Sequence, residues 1–413
     1  MTESTAEVAI IGAGPAGAHL ASRLADRGHE VVLFDPKGAW EKPCGGGVPT
    51  RAIREFAFIL ESSSYPRKLI HRITMISPVD RRVSLTVDEP FAIYSRKVLN
   101  GLVLDRAIET GAEFVRAGVS DFARDGCGWQ IKTDDGRVWR TRFLVGADGA
   151  ASFTRRRLVG IFPKQDLALA FGYNVAVSDD SPTGTRSQND SSTDEVVVQF
   201  PKNFTGYLWA FPRPGVMNFG VASKLGEKTS DELRTLLLDF VKNYFGGRMP
   251  DSSRVSFFGA KIPTLDLKSW KDLQTSGDGW ALVGDAAGFA DPITGEGIYY
   301  AFKSADLLAE SLIETLSTGE RAREEISSDI YHRAAKRYDA MWRDAFGQEL
   351  EHASYRLPHF YHGRFIGHIF TDAMIMLARY HRGVRTILAR ALTGEQSYVT
   401  LKRDLMRRAF QVF

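Results

Sequence analysis

Apolar and polar positions along this chain switch between a strand-like and a helix-like period, and the switches mark its elements. Val8 to Ile11 is an unbroken apolar run, the pattern of a strand buried on both faces. A glycine-rich turn follows, then a helical stretch with Leu20 and Leu24 one turn apart, ended by Gly28. Val31 to Phe34 is a second apolar strand. Residues 50–66 read as helical up to a break at Tyr65-Pro66. Ile73–Ile76 and Val83–Val87 are short β runs around a turn at Pro78–Arg81, an excursion from which Ile93 to Arg96 returns. Leu99, Val103 and Ala107 predict a helix ending near Gly111. Glu113 to Val119 reads as a strand, and Trp129 to Val138 as a hairpin turning at Asp135-Gly136.

The second half is patterned the same way. Phe143 to Gly149 is a buried strand ending in Asp148-Gly149, and Leu167 to Val177 is β-like. Asp179 to Glu195 is polar, rich in Ser, Thr and Asp, and is expected to be a mobile surface loop. Val196–Val198, Tyr207–Pro212, Asn218–Ala222 and Val255–Phe258 are further strands. Trp280 to Gly288 is again a strand closing on an acid, and a long helix runs from Gly297 to about Leu316. The last 90 or so residues read as helical. Phe365 to Ala378 is apolar but is interrupted by His368 and Asp372 and is too short to span a bilayer.

Within this frame the first turn carries chemistry. Gly12, Gly14 and Gly17 give G-x-G-x-x-G between a strand and a helix, and Asp35 stands 21 residues after Gly14 at the end of the next strand. Gly12 permits the tight turn, Gly14 lets the backbone approach a pyrophosphate, and Gly17 lets helix and strand pack closely. The helix start offers free N–H groups and positive dipole to phosphates, and Asp35 offers a carboxylate to a ribose. Because the strands ending at Asp148 and Asp285 have the same character, the dinucleotide domain is read as discontinuous.

Three other groups each have two readings. Pro43-Cys44-Gly45-Gly46-Gly47 is neither helix nor strand; Cys44 is either a small buried filler or a thiol held with its glycines against a cofactor's redox face. Arg155, Arg156 and Arg157 are a solvated face or a phosphate or reductant contact. Tyr207, Trp209 and Phe211 share one face of a strand, as half of a sheet core or as an aromatic wall along a flat cofactor or apolar substrate.

Composition narrows the classes. A chain of 413 residues has room for two or three domains, and 44% hydrophobic and 25% charged residues suit a globular protein. A net charge of +3 gives no nucleic-acid signature. Two cysteines, Cys44 and Cys127, make no disulfide framework, so a reducing, cytoplasmic setting is expected; polar Met1 to Glu7 predicts no secretory signal. Residues 351–413 hold ten Lys/Arg against four Asp/Glu, and five of the nine histidines. A basic, partly apolar tail suits either ordinary helical packing or a peripheral contact with an anionic membrane. His359-x-x-His362 lacks a completing cysteine or carboxylate cluster, so no metal is expected.

Together the fingerprint, Asp148-Gly149, Gly284-Asp285-Ala286-Ala287-Gly288, and Arg96 ahead of Leu104-Asp105-Arg106 resemble the FAD-dependent oxidoreductases of the aromatic-hydroxylase fold. Lys42 to Gly47 is similar to the Pro-Cys-Gly-Gly loop of the geranylgeranyl reductase family within that group. Tyr207-x-Trp209-x-Phe211-Pro212 resembles its aromatic motif, and Ser397-Tyr398-x-x-Leu401-Lys402 its C-terminal end. The chain departs from the motif at Phe204, where the family usually has proline.

The resemblance implies an α/β fold: a Rossmann-like FAD-binding domain (1–70, 95–165 and 275–320), an inserted mixed β-sheet substrate domain (71–94 and 166–274) and a helical C-terminal region (321–413). It implies that Gly12, Gly14, Ala16 and Gly17 contact the FAD pyrophosphate and Asp35 the ribose. Arg96 would reach the phosphates, Val119 would hold adenine by its backbone, and Asp285 would bind the ribityl or pyrophosphate region. Cys44, Gly45 and Gly47 would lie beside the isoalloxazine, with Gly297-Ile298 at its pyrimidine edge. It implies reduction of C=C bonds in a prenyl chain lined by Tyr207, Trp209 and Phe211, with Cys44 catalytic. A single G-x-G-x-x-G leaves no second nucleotide domain, so NADPH binds transiently or a reduced carrier protein supplies electrons. The rival readings are an FAD-dependent monooxygenase or halogenase of the same fold, and an FAD-bound sensor without turnover.

Overall fold

The computed structural model describes residues 3–177, 194–317 and 328–409. It divides into two compact units, the first of residues 1–41, 97–163 and 263–351, the second of residues 42–96, 164–262 and 352–413.

The first unit is built on a sheet whose middle strand is Glu3–Ile11. Val8–Ile11 pairs in parallel with Val31–Phe34 on one side and with Phe143–Gly146 on the other. Trp280–Leu282 and Glu113–Val115 extend the parallel set outward. The middle strand is apolar throughout its second half because both faces are covered, and Val8, Ala9 and Ile10 have no exposed surface. Helices Pro15–Ala25 and Ile298–Ser317 pack against each other, and Ser328–Trp342 packs on the second of these. Parallel pairing has a direct consequence for function. Strands ending at Ile11, Phe34, Gly146 and Leu282 all release their chains at one sheet edge, so Gly12, Asp35, Asp148 and Asp285 emerge together there, where open α/β sheets bind ligands. An antiparallel addition, Gly128–Thr133 on Val138–Gly146, carries the expected turn at Asp135-Gly136.

The second unit is a mixed eight-stranded sheet in the order Val255–Pro263, Leu167–Ala176, Val216–Lys224, Gly206–Arg213, Glu195–Gln199, Arg67–Ile76, Arg82–Tyr94, Gly47–Val48. Glu195–Gln199 lies parallel to Arg67–Ile76, whereas Gly206–Arg213 is antiparallel to both its neighbours. Helix Ser230–Tyr244 covers one face. Thr229 and Glu232 start it with a reciprocal capping box, and Leu233, Leu237, Phe240 and Val241 form the stripe that buries Leu208, Ala210, Phe219 and Val221. This helix was not foreseen from the apolar pattern, although Thr229-x-x-Glu232 announces it.

The observed units differ from the expected boundaries. Residues 42–70 join the sheet unit, because Gly47-Val48 pairs with Ala92-Ile93 and the strand beginning at Arg67 pairs with the whole of Arg82–Tyr94. The C-terminal stretch is not a third body: Ser328–Trp342 belongs to the first unit and residues 352–413 to the second. Residues 50–66 hold two short helices, Thr50–Glu55 and Phe58–Glu61, and the strand expected over 113–119 stops at Val115. The loop expected over 179–195 lies outside the described residues except at its end, where Glu195 already opens a strand. Among the described residues no helix is long and apolar enough to cross a membrane.

Candidate functional site

In the first unit the fingerprint glycines are used as their spacing predicts. Gly12 adopts φ +108°, and a Cβ there would stand 2.5 Å from the Ala147 carbonyl oxygen. A Cβ on Gly17 would lie 1.9 Å from the Gly12 oxygen, so the helix is drawn tightly onto the turn. Above Gly14 there is open space, as a cradle for a ligand requires. Pro15 occupies the first helical position, Gly14 supplies no side-chain cap, and no acid stands in the first turn. The N–H groups of that turn are therefore offered outward, which suits a pyrophosphate.

Asp35 organises the same edge. Its Oδ2 accepts from the Ala13 N–H at 2.9 Å, and its Oδ1 accepts from the N–H groups of Lys37 and Gly38 at 2.8 and 2.9 Å. The carboxylate thus ties the fingerprint to the following loop and keeps acceptor capacity for a ribose hydroxyl. Val119 opens strand Val119–Asp125 of the same unit. Asp148 is structural: it accepts from Ser152 Oγ and from the Thr154 N–H at 2.9 Å, at the start of helix Phe153–Leu158. Burial pushes its carboxyl up against those bonds, which hold it down.

Two late segments meet the fingerprint. Gly284, at φ +58°, would place a Cβ 3.2 Å from that of Ala16, so the Gly-Asp turn rests on the first helix. A Cβ on Gly297 would stand 3.0 Å from Asp285 Oδ1, so Asp285 and Gly297 are neighbours. Helix Ile298–Ser317 begins there, with Glu296 Oε1 accepting from the Tyr299 N–H at 2.8 Å. The arginine triplet splits: Arg155 is buried with its guanidinium 3.9 Å from the Phe162 ring centre and Nη1 3.4 Å from the Ala286 oxygen, whereas Arg157 pairs with Asp121 at the surface.

The second unit assembles a different chemistry. Cys44 is partly exposed, and its Sγ accepts from the Gly46 N–H at 3.3 Å. Burial pushes the thiol up, but the Arg96 guanidinium, the Gly46 N–H and Arg213 outweigh it and hold its pKa below the ordinary thiol value. Arg96, 4% exposed, has the Cys44 thiol for a neighbour, a contact the sequence did not announce beside the phosphate role that the resemblance implies. Arg213, also 4% exposed, donates from Nη2 to the Cys44 oxygen and from Nε to the Gly45 oxygen at 3.3 Å. Gly46, at φ +80°, would put a Cβ 1.9 Å from the Tyr94 oxygen, so the loop is pinned to the sheet on its other side.

The aromatic row packs on this loop. A Cβ on Gly45 would lie 2.8 Å from the Phe211 ring and 3.4 Å from Trp209 Nε1, and one on Gly47 would lie 3.1 Å from Phe211. Tyr207, Trp209 and Phe211 step along one strand with ring centres 5.8 and 6.3 Å apart. They lie on the sheet face away from helix Ser230–Tyr244, in a small cluster where Tyr207, Phe211, Phe258 and Ile262 are only partly buried. The row is therefore not the unit's main core, which favours a wall along an apolar ligand. Phe204, the departure from the family motif, is in the helix-covered core instead, 1% exposed.

Sequence reasoning missed three residues that hold this site. Trp209 Nε1 donates to Asn218 Oδ1 at 2.7 Å, and Asn218 Nδ2 donates to Asn174 Oδ1 at 2.7 Å, a relay that fixes the indole. Arg213 is the third. Its only local signal is a charge ending an aromatic strand, and its partners lie 168 and 169 residues away. Among the described residues no group of three or more His, Cys, Asp or Glu is placed to hold a metal.

The thiol's environment gives a direct prediction. Cys44 is expected to be alkylated by iodoacetamide at a lower pH than a free cysteine thiol, and Arg96→Leu should move the Cys44 profile upward. Identical Cys44 profiles in the wild type and in Arg96→Leu would remove the electrostatic role of Arg96.

A family model described as an FAD binding domain matches residues 5–341 of the chain. A geranylgeranyl diphosphate reductase of Rhodobacter capsulatus is 30% identical over 331 residues, 76% of this chain and 76% of that one. A digeranylgeranylglycerophospholipid reductase of Methanosarcina acetivorans is 26% identical over 360 residues, 84% of this chain and 82% of that one. Among solved structures, a geranylgeranyl bacteriochlorophyll reductase-like protein of Thermoplasma acidophilum matches with a TM-score of 0.74 at 19% identity, over 100% of this chain and 98% of that one, a likeness of fold.

Proposed function

This chain belongs to the geranylgeranyl reductase family of FAD-binding proteins, and from that premise we propose that it reduces isolated C=C bonds in a prenyl chain. The observation that carries the reading is the packing of the Cys44 loop against Trp209 and Phe211 within one unit. An acid with a stabilised conjugate base and an apolar aromatic wall are assembled side by side, as reduction of an alkene without a neighbouring carbonyl requires. Such a bond needs a hydride at one carbon and a proton at the other. Bound FAD, in its reduced form, supplies the hydride.

The chain's own groups do the rest. The fingerprint fits the cofactor on the structural grounds already given: an open cradle over Gly14 and an uncapped helix start. Gly12, Gly14, Ala16 and Gly17 are proposed to hold the pyrophosphate, Asp35 the adenosine ribose, and Val119 the adenine. Asp285, Gly297 and Ile298 are assigned to the ribityl and pyrimidine portions, where helix N–H groups stabilise negative charge. Gly45 and Gly47 are assigned to the ring. Cys44 Sγ holds the proton that the second alkene carbon takes. Arg96 and the Gly46 N–H stabilise the thiolate left behind, which makes the thiol a stronger acid. Tyr207, Trp209 and Phe211 seat the chain and exclude water.

The finer assignments belong to the same proposal. Electrons come from NADPH or from a reduced carrier protein. The relatives named above act on a diphosphate and on a glycerophospholipid, which share a prenyl chain and differ in the head group, so the prenyl chain is the proposed substrate feature. The protein would be incubated under argon with dithionite and either geranylgeranyl diphosphate or a digeranylgeranyl glycerophospholipid. A gain of about two mass units per double bond is expected in at least one of them. Unreduced chains in both, with substrate-dependent oxygen uptake when air is present, would instead indicate a monooxygenase or halogenase.

A further inference from the structure

The short hairpin of Arg364–Phe365 and His368–Ile369, in the second unit, carries its most apolar residues at an uncovered tip. Ile366 is 68% exposed and Phe365 43%. The two turn residues, Ile366 and Gly367, have φ of +51° and +78°. Turns with both central residues at positive φ select Asn-Gly, and a β-branched residue there is a conformational outlier. Isoleucine at this position serves neither the turn nor a core, so its side chain is kept for something outside the chain.

The base of the hairpin, by contrast, is firmly held. The Phe370 N–H donates to the Gly363 oxygen at 2.8 Å. His362 Nε2 pairs with Thr205 Oγ1 at 2.7 Å, and His368 Nδ1 lies 3.2 Å from the Asp372 carboxylate. Asp372, 2% exposed, is in turn paired with Arg81 at 2.7 Å. Two of the histidines concentrated in the tail therefore act as bolts.

The segment that carries the tip is basic. Residues 352–413 hold ten Lys/Arg and three Asp/Glu. Its acids are engaged: buried Asp372 with Arg81, Glu395 with Arg54 at 2.7 Å, and Asp404 with Thr400 Oγ1 at 2.6 Å. Arg364, Arg379, Arg382 and Arg407 are exposed, and so is Tyr380, at 83%. An exposed apolar tip next to exposed Arg364, in a segment of net positive charge, complements the surface of an anionic bilayer.

We infer that the Phe365-Ile366 tip inserts into an anionic lipid surface and docks the second unit there. The inference does not rest on the prenyl reading, since it is read from binding alone. The full-length protein would be floated with vesicles of phosphatidylcholine containing phosphatidylglycerol and with phosphatidylcholine alone. The wild type should float with the anionic vesicles only, less so as salt rises, and no more weakly in phosphate than in chloride of equal ionic strength. Ile366→Asn places the favoured residue in the turn, so its thermal midpoint should hold or rise while vesicle binding falls by about tenfold or more. Phe365→Ser should lose binding similarly. The inference is overturned if the wild type ignores anionic vesicles, if both variants float as it does, or if free phosphate displaces it. Reduction of a soluble diphosphate should be unchanged in both variants, which distinguishes lost docking from a damaged fold.

Discussion

Cys44→Ala is expected to lower prenyl turnover by about 10²- to 10⁴-fold with FAD still bound, the usual range for removing a positioned proton donor. The reason lies in the thiol's surroundings. Burial alone would make it a poor acid, yet Arg96, the Gly46 N–H and Arg213 hold its pKa below the ordinary value. A donor must be protonated, so wild-type activity should fall as pH rises through that lowered pKa. In Cys44→Ala the alkaline fall should vanish along with the rate, and Arg96→Leu should move it to higher pH. Cys44→Ser, with a far weaker acid in nearly the same volume, should fall between the two. Full turnover in Cys44→Ala would reduce the thiol to packing beneath the loop and leave the proton to another group.

Gly17→Val is expected to give a protein that purifies without flavin. Its Cβ would start 1.9 Å from the Gly12 oxygen. Gly12 has no room to retreat, because its own Cβ position already lies 2.5 Å from the Ala147 oxygen and its φ is +108°. The clash must therefore swing the helix start away from the turn, at about 1–3 kcal/mol in strain. If the helix start holds the pyrophosphate as proposed, loss of two charge-assisted N–H contacts, at roughly 1.5–3 kcal/mol each, would weaken FAD by about 10²- to 10⁴-fold. Gly14→Ala is the informative contrast. Nothing in the protein lies within 4 Å of that Cβ position, so the variant should fold as the wild type and still bind FAD more weakly. Equal flavin content in Gly17→Val and wild type, measured by the ratio of flavin to protein absorbance, would move the cofactor site away from this turn.

The features most legible in the sequence are those whose cause is local. The run Val8–Ile11, the three glycines and Asp35 report one βαβ unit, and parallel pairing puts the acids of two further strands, Asp148 and Asp285, at the same edge. The Thr229-x-x-Glu232 capping box was equally local and could have been read. What escaped depends on contacts between distant segments. A two-residue strand, Gly47-Val48, moves residues 42–70 into the sheet unit, and no periodicity can announce a strand that short. Arg96 stands beside Cys44, 52 residues earlier in the chain, and Arg213 reaches the same loop from the far end of an aromatic strand. The two readings of Tyr207, Trp209 and Phe211 could be separated only once helix Ser230–Tyr244 was seen to cover the other face. Likewise Ile366 looks like any apolar residue until its backbone and exposure are known.

The most direct measurement is anaerobic and stoichiometric. The yellow protein would be reduced with one equivalent of dithionite, mixed with geranylgeranyl diphosphate or a digeranylgeranyl glycerophospholipid, and followed by flavin absorbance with product mass at the end. Return of the oxidised spectrum without oxygen, matched by one double bond reduced per flavin, is the expected result. A flavin that stays reduced with both substrates until air is admitted would contradict prenyl reduction.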